Sequence, residues 1–216
     1  MKKRLILLSV VALMTACGED QQTKMSDGSA EREQPRQSSV EEEKVVSATA
    51  IDKAALVNEA IATVKALGGP LKSQLQTAMK TGGPAKAVEV CQKIAPELAR
   101  SVSEDKGMDI TRVSLKNRNP VMGIPNEWET AVLEDFESRK LAGEDPQTLS
   151  YAEVVDNQFR FMKAVPTGAV CLHCHGTGLK PEVAAKLNEL YPDDKATGFQ
   201  EGDIRGAFVV TKNLTP

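Results

Sequence analysis

Apolar positions in this chain change their rhythm four times, and each rhythm predicts a different element. Leu5 to Leu13 form an apolar run behind a basic start of Lys2, Lys3 and Arg4. The run is too short for a lasting membrane helix, which needs about 20 apolar residues. From Gly18 to about Ala50 the sequence is rich in Gln, Ser, Glu and Lys, with no aromatic residue. Such a stretch cannot bury enough apolar surface to offset the entropy of ordering, which predicts a flexible tether. From Ile51 to Lys80 a helical period sets in through Leu56, Ala60, Val64, Leu67, Leu71, Leu75 and Met79. Gly68-Gly69-Pro70 predicts a kink or two helices end to end, and Gly82-Gly83-Pro84 a clear break. A further helix is expected from about Ala85 past Leu98, with Val88, Cys91, Ala95, Leu98 and Val102 on one face. Pro96 removes an amide and predicts a bend just after Cys91.

The remaining pattern is shorter in period. Met108 to Leu115, Gln158 to Val165 and Ile204 to Thr211 read as strands. Glu127 to Lys140 reads as a helix carrying Trp128, Val132, Leu133 and Phe136, and Pro181 to Leu190 as a short helix with proline near its start. Helices first and strands later, with few βαβ alternations, predict an α+β domain on an antiparallel sheet. Trp128 is expected to anchor the core.

The beginning of the chain adds an address. Leu13-Met14-Thr15-Ala16-Cys17 places small residues before a cysteine and resembles a bacterial lipoprotein signal. Residues 1–17 are then signal and lipobox, 18–50 the tether and 51–216 one domain. Cys17 is the expected lipidation site, with Met14 standing where Leu is usual. The alternative is an ordinary secretory signal cut near Ala16. Both readings put the mature protein outside the cytoplasm, in the periplasm, and the first adds a lipid anchor in a bacterial membrane. The net charge of -3 over 216 residues, without a basic block, points to no nucleic acid partner.

Cysteine and histidine counts bring in chemistry. If Cys17 carries lipid, three of the four cysteines remain, and an odd number excludes a simple disulfide scaffold. Two of them, with both histidines of the chain, lie in Val170-Cys-Leu-His-Cys-His-Gly176. C-x-x-C-H in an exported protein is the attachment signature of haem c: Cys171 and Cys174 would form thioethers and His175 would ligate the iron. A four-ligand zinc site from Cys171, Cys174, His175 and Cys91 lacks the second half of a zinc motif. A redox dithiol would need a βαβ context. His173 is tethered too close to His175 to reach the opposite face of the same haem. The sixth ligand is therefore Cys91, Met79, Met108, Met122, Met162, or an open position. Composition leaves Cys91 equally a ligand or a small buried apolar residue.

Several further stretches carry a resemblance. They are Ala87-Val-Glu-Val-Cys-Gln-Lys-Ile-Ala-Pro-Glu-Leu-Ala99, Thr111-Arg-Val-Ser-Leu-Lys-Asn-Arg-Asn-Pro120, Pro125-Asn-Glu-Trp-Glu129, Cys171 to Gly176, and Ile204-Arg-Gly-Ala-Phe-Val-Val210. In this order, from roughly Ala85 to Lys212, they resemble a bacterial c-type haem family with a PAS-like fold, long filed as a domain of unknown function. The resemblance implies an antiparallel sheet with helices on one side, and axial ligation by His175 and Cys91. It also implies a haem-based redox or gas sensor module working with a separate signalling protein or redox partner. An electron-transfer cytochrome is the alternative, and a peroxidase-type enzyme a more distant one. With both axial positions filled, no enzymatic activity is expected. Arg112, Ser114, Lys116 and Arg118 alternate, so a strand reaching that far would put them on one face. Arg112, Lys116 and Arg118 would then contact haem propionates or a small anion, against the alternative of a solvated face.

Overall fold

The structure is a computed structural model that describes residues 51–214. The expected signal, the expected lipidation site Cys17 and the expected tether lie outside the described residues. Helix α1 spans Lys53–Lys106, followed by β1 (Asp109–Val113), α2 (Glu127–Leu141), β2 (Ser150–Val155) and β3 (Gln158–Pro166). A single 3-10 turn at Ala169–Cys171 runs into α3 (Leu172–His175), then α4 (Pro181–Leu190) and β4 (Ile204–Asn213). The four strands form one antiparallel sheet in the order β1-β4-β3-β2. The fold class is α+β, as the sequence pattern predicts.

A straight helix of 54 residues would be roughly 80 Å long, wider than the whole sheet. Yet Thr63 Oγ1 lies 3.6 Å from Met108 Sδ, just past the helix end. The chain therefore reverses inside α1, and Gly83 is where it does so. Gly83 has φ 74 and ψ -176, the only non-helical dihedral pair in the element, in a region open essentially to glycine alone. Pro84 follows at the first position of the second arm, where its missing N–H costs nothing. The expected kink at Gly68-Gly69-Pro70 does not interrupt the helix. A Cβ at Gly68 would meet the Phe208 ring at 3.6 Å, and packing on the sheet holds the segment helical. Pro96 likewise stays within helical dihedrals, although the Gln92 carbonyl loses its partner.

The sheet is covered on both faces, not on one side as the resemblance implies. Ile110, Phe159, Phe161 and Val210 join Leu56, Ala60, Leu67 and Val102 of α1. Val113, Met162, Ala164, Ala207 and Val209 join Val132, Leu133 and Phe136 of α2 on the other face. The split follows the two-residue period, since adjacent positions such as Phe161 and Met162 are both apolar. A capping box starts α2: Glu129 N donates to Asn126 Oδ1 at 3.0 Å and Asn126 N donates to Glu129 Oε2 at 2.8 Å. Trp128 packs at the edge of the α2-side core, with Arg160 5.3 Å over its ring.

Strand β2 was not predicted. Its signal is the Asp156-Asn157 turn, with φ 50 and 57, which joins β2 to β3 as a two-residue hairpin. Asp and Asn are among the few side chains that tolerate positive φ twice in succession. Conversely, β1 ends at Val113, two residues short of the expected Leu115. Ser114 turns the chain, its hydroxyl accepting from Lys116 N at 3.1 Å and donating to Lys116 O at 3.0 Å. The alternating face proposed for Arg112, Ser114, Lys116 and Arg118 therefore does not exist.

Candidate metal and cofactor centre

The candidate centre lies where the carboxy arm of α1, the α3–α4 segment and the paired ends of β1 and β4 meet. In a helix, positions i, i+3 and i+4 share a face. The turn through α3 thus groups Cys171, Cys174 and His175 on one side and turns His173 away. His173 is exposed, and its Nδ1 lies 3.1 Å from the Val170 carbonyl. Cys91, Cys171 and Cys174 are all half-buried free thiols, and none is in a disulfide.

His175 is held from its Nδ1 side. That nitrogen is 2.7 Å from the Ala196 carbonyl, so Nδ1–H donates and Nε2 keeps its lone pair. Metal-binding histidines are oriented in this way. The loop that supplies Ala196 is tied down by Phe199 N donating to His175 O at 2.9 Å and Gly198 N to Gly176 O at 3.1 Å. Phe199 also meets the imidazole edge-to-face at 6.3 Å. Burial, then the nearby Arg205 and Arg118 guanidiniums, push the His175 pKa down to about 2. The imidazole is neutral, the form in which it ligates a metal.

Cys91 faces the same region. Val88, one turn earlier, packs with Val183 and Leu187 of α4, and Cys174 and Leu179 join this cluster. Cys91 lies within electrostatic reach of Arg112 and Arg118, and its charge is felt at Cys174. Burial raises the thiol pKa of Cys91 and of Cys174, with the arginines opposing. Of the candidate methionines, Met79 is half-buried near the end of the amino arm of α1. Met108 and Met162 are sealed in the two cores, and Met122 is exposed in the β1–α2 loop.

Arg118 is the clamp of the centre. Its Nε donates to Asp194 Oδ2 at 3.1 Å, and its Nη2 donates to the Cys174 carbonyl at 2.6 Å and the Ala196 carbonyl at 3.4 Å. One side chain thereby ties the C-x-x-C-H turn to the loop that orients His175. Lys116 is not part of this group. Its ammonium lies 4.5 Å over the Phe199 ring and donates to the Thr197 carbonyl. Arg112 stays on the α1 face, its guanidinium 6.0 Å from the Phe208 ring centroid.

Sequence reasoning missed Arg205. Its Nη1 lies 3.2 Å from His175 Nε2, and its buried Nε has no partner. The signal was a lone arginine in the otherwise apolar run Ile204 to Val210. Gly206 beside it has φ 128, and a Cβ there would sit 2.2 Å from the Val113 carbonyl oxygen. Only glycine permits the close approach of β4 to β1 at this point. The contribution of the Ala196 carbonyl was unreadable, because it is backbone brought in from a loop.

The donor set suits a metal-bearing cofactor better than a bare ion. One imidazole lone pair and three thiols outside disulfides are the metal- and cofactor-binding groups it offers. Among the described residues no three His, Cys, Asp or Glu side chains converge as a metal cage. The cavities beside Trp128 and under Asp109 and Thr111 touch none of these residues.

Comparison with known proteins places these features. Residues 32–212 match the protein family described as Tll0287-like. The fold is similar to the crystal structure of the cyanobacterial heme-protein Tll0287, with TM-score 0.60 and 23% identity over 74% of this chain and 96% of that one. No curated protein matches significantly.

Proposed function

The chain belongs to the Tll0287-like family, and we propose that it binds one haem c and serves as a haem-based redox or gas sensor module outside the cytoplasm. Cys171 and Cys174 would hold the haem. Each S–H adds across a vinyl group, forming one C–S and one C–H bond with no net oxidation. His175 and Cys91 would be the axial ligands. The observation that carries this reading is the Nδ1 hydrogen bond to the Ala196 carbonyl at 2.7 Å, which keeps the Nε2 lone pair on an imidazole that shares its turn with two unpaired thiols at attachment spacing. That the fold is similar to a solved heme-protein supports it.

When bound, the haem would supply a one-electron couple and an iron able to exchange a ligand. The chain's own residues do the rest. Ala196, Phe199 and Arg118 keep the imidazole in one orientation. Cys91 rides on the carboxy arm of α1, whose junction with the amino arm is the single residue Gly83. A thiolate favours ferric over ferrous iron, so Cys91 would be the redox- and gas-sensitive hold on the iron, and the arm that carries it would be the part that addresses a separate partner protein. An N-terminal lipid on Cys17 would keep the module at a membrane, most simply on the periplasmic side.

An absorption and electron paramagnetic resonance spectrum of the purified holoprotein beside Cys91→Ala tests both parts. We expect a pyridine haemochrome of thioether-bound haem, and a low-spin ferric thiolate signal lost in Cys91→Ala. Haem that extracts into acidic solvent, or no haem, sinks the cofactor reading. Ferrous protein with unchanged ligation, no carbon monoxide binding and fast electron exchange assigns it to electron transfer instead.

A further inference from the structure

Six arginines occur among the described residues. Four hold a carboxylate: Arg100 with Glu104, Arg118 with Asp194, Arg139 with Asp135 and Glu144, and Arg160 with Glu153. The two without one among the described residues are Arg112 and Arg205, and both stand at the candidate centre. Desolvating a charge is costly unless an opposite charge compensates it. Arg112 stands opposite Phe208 in the β1–β4 ladder, three residues along β4 from Arg205, and two like charges there add repulsion. Arg205 is the largest cause, ahead of burial, of an Arg112 pKa pulled down to about 9. Both still carry charge at neutral pH. Arg205 Nε is buried with no acceptor.

What neighbours them now would not survive cofactor attachment. Arg205 interacts with the Cys171 thiol and with His175 Nε2. A metal on Nε2 would take the position that Arg205 Nη1 approaches at 3.2 Å. Arg205 would then need another acceptor, and Arg112 has no carboxylate partner among the described residues. Arg118 is committed elsewhere, its Nε to Asp194 and its Nη2 to two carbonyls.

We propose that Arg112 and Arg205 form a paired guanidinium site for the propionate carboxylates of the haem held by Cys171 and Cys174. The assignment rests on the haem reading above. Planar guanidiniums match carboxylates with two parallel N–H···O bonds, which a lysine cannot reproduce. The pair also brings two positive charges to a haem edge that carries two negative ones, so the centre closes with its charge balanced.

The test uses purified holoprotein, first weighed to show one covalent haem per chain. Arg112→Gln and Arg205→Gln are compared with Arg112→Lys and Arg205→Lys, the latter keeping charge if a Gln variant fails to mature. The readouts are the pH dependence of the midpoint potential and the propionate bending band in resonance Raman. An adjacent cation lowers a carboxyl pKa by about 1–3 units. Each Gln variant should therefore raise the propionate pKa by about that much, and the Lys variants by less. The Raman band should move in the same order. If covalent haem is present and both readouts match wild type in the Gln variants, the assignment is overturned. It is also overturned if inorganic phosphate stabilises wild-type holoprotein but not the Gln variants, since the pair would then serve a free anion. Absence of covalent haem from wild type overturns the proposed function instead.

Discussion

Removing Arg118 should loosen the candidate centre more than any other single surface-reaching change. Its guanidinium is paired with Asp194 at 3.1 Å, and the two side chains keep only 18% and 8% of their exposure. Breaking a buried pair by deleting one partner costs about 3–5 kcal/mol, because the remaining charge is left uncompensated. Here Asp194 keeps one hydrogen bond, from Ala196 N at 2.8 Å, so the lower end, about 3 kcal/mol, is the better figure. For a domain of this size that is a fall in Tm of about 6–12 °C. The assay is urea unfolding of wild type, Arg118→Met, Asp194→Leu and the double variant, read as a double-mutant cycle. The double variant should be more stable than additivity predicts by about 2 kcal/mol or more, because neither charge is then orphaned. Coupling below about 0.5 kcal/mol would show that solvent screens the pair, as at an exposed site, and would refute the clamp.

Other consequences follow from single positions. Gly83→Ala forces a side chain into φ 74, ψ -176 with nothing within 4 Å to clash. Backbone strain alone should then cost about 1–3 kcal/mol in denaturant unfolding. Phe136→Ala, at a side chain with no exposure between α2 and the sheet, should cost about 3–5 kcal/mol. Asp203 has its pKa depressed, first by the Lys140 ammonium and next by Gln200 N–H. Its contribution is present above the unfolded carboxyl pKa of about 3.9 and is lost as pH falls through the depressed value. Lys140→Met should therefore flatten the acid limb of the stability profile, and an unchanged limb would count against the pairing.

Much of the chemistry was local and so was legible in the chain. Cys171, Cys174 and His175 are grouped by helical spacing over five residues, and the α-helix keeps that spacing wherever it sits. The face of Val88, Cys91 and Val102 followed from the same period. Gly82-Gly83-Pro84 announced the break in α1. The strands at Gln158 and Ile204 were visible because both their faces are apolar and rich in β-branched or aromatic residues. That same two-sided apolarity, read for what it requires, meant helices on both sides of the sheet.

The sequence by itself determined which of the described residues could do chemistry: three thiols, two imidazoles, and a C-x-x-C-H spacing. Tertiary structure alone decided which of them meet. A reversal at one glycine brings α1 back along the sheet and carries Cys91 toward α3. Backbone from the Ala196 loop sets the histidine tautomer, and no side-chain alphabet encodes a carbonyl. The two arginines without carboxylates became visible only as a pair, because Arg112 and Arg205 lie on strands far apart in the chain. Spacing along the chain determines what a helix turn presents, whereas the balance of charge in a buried site depends on every segment folded against it.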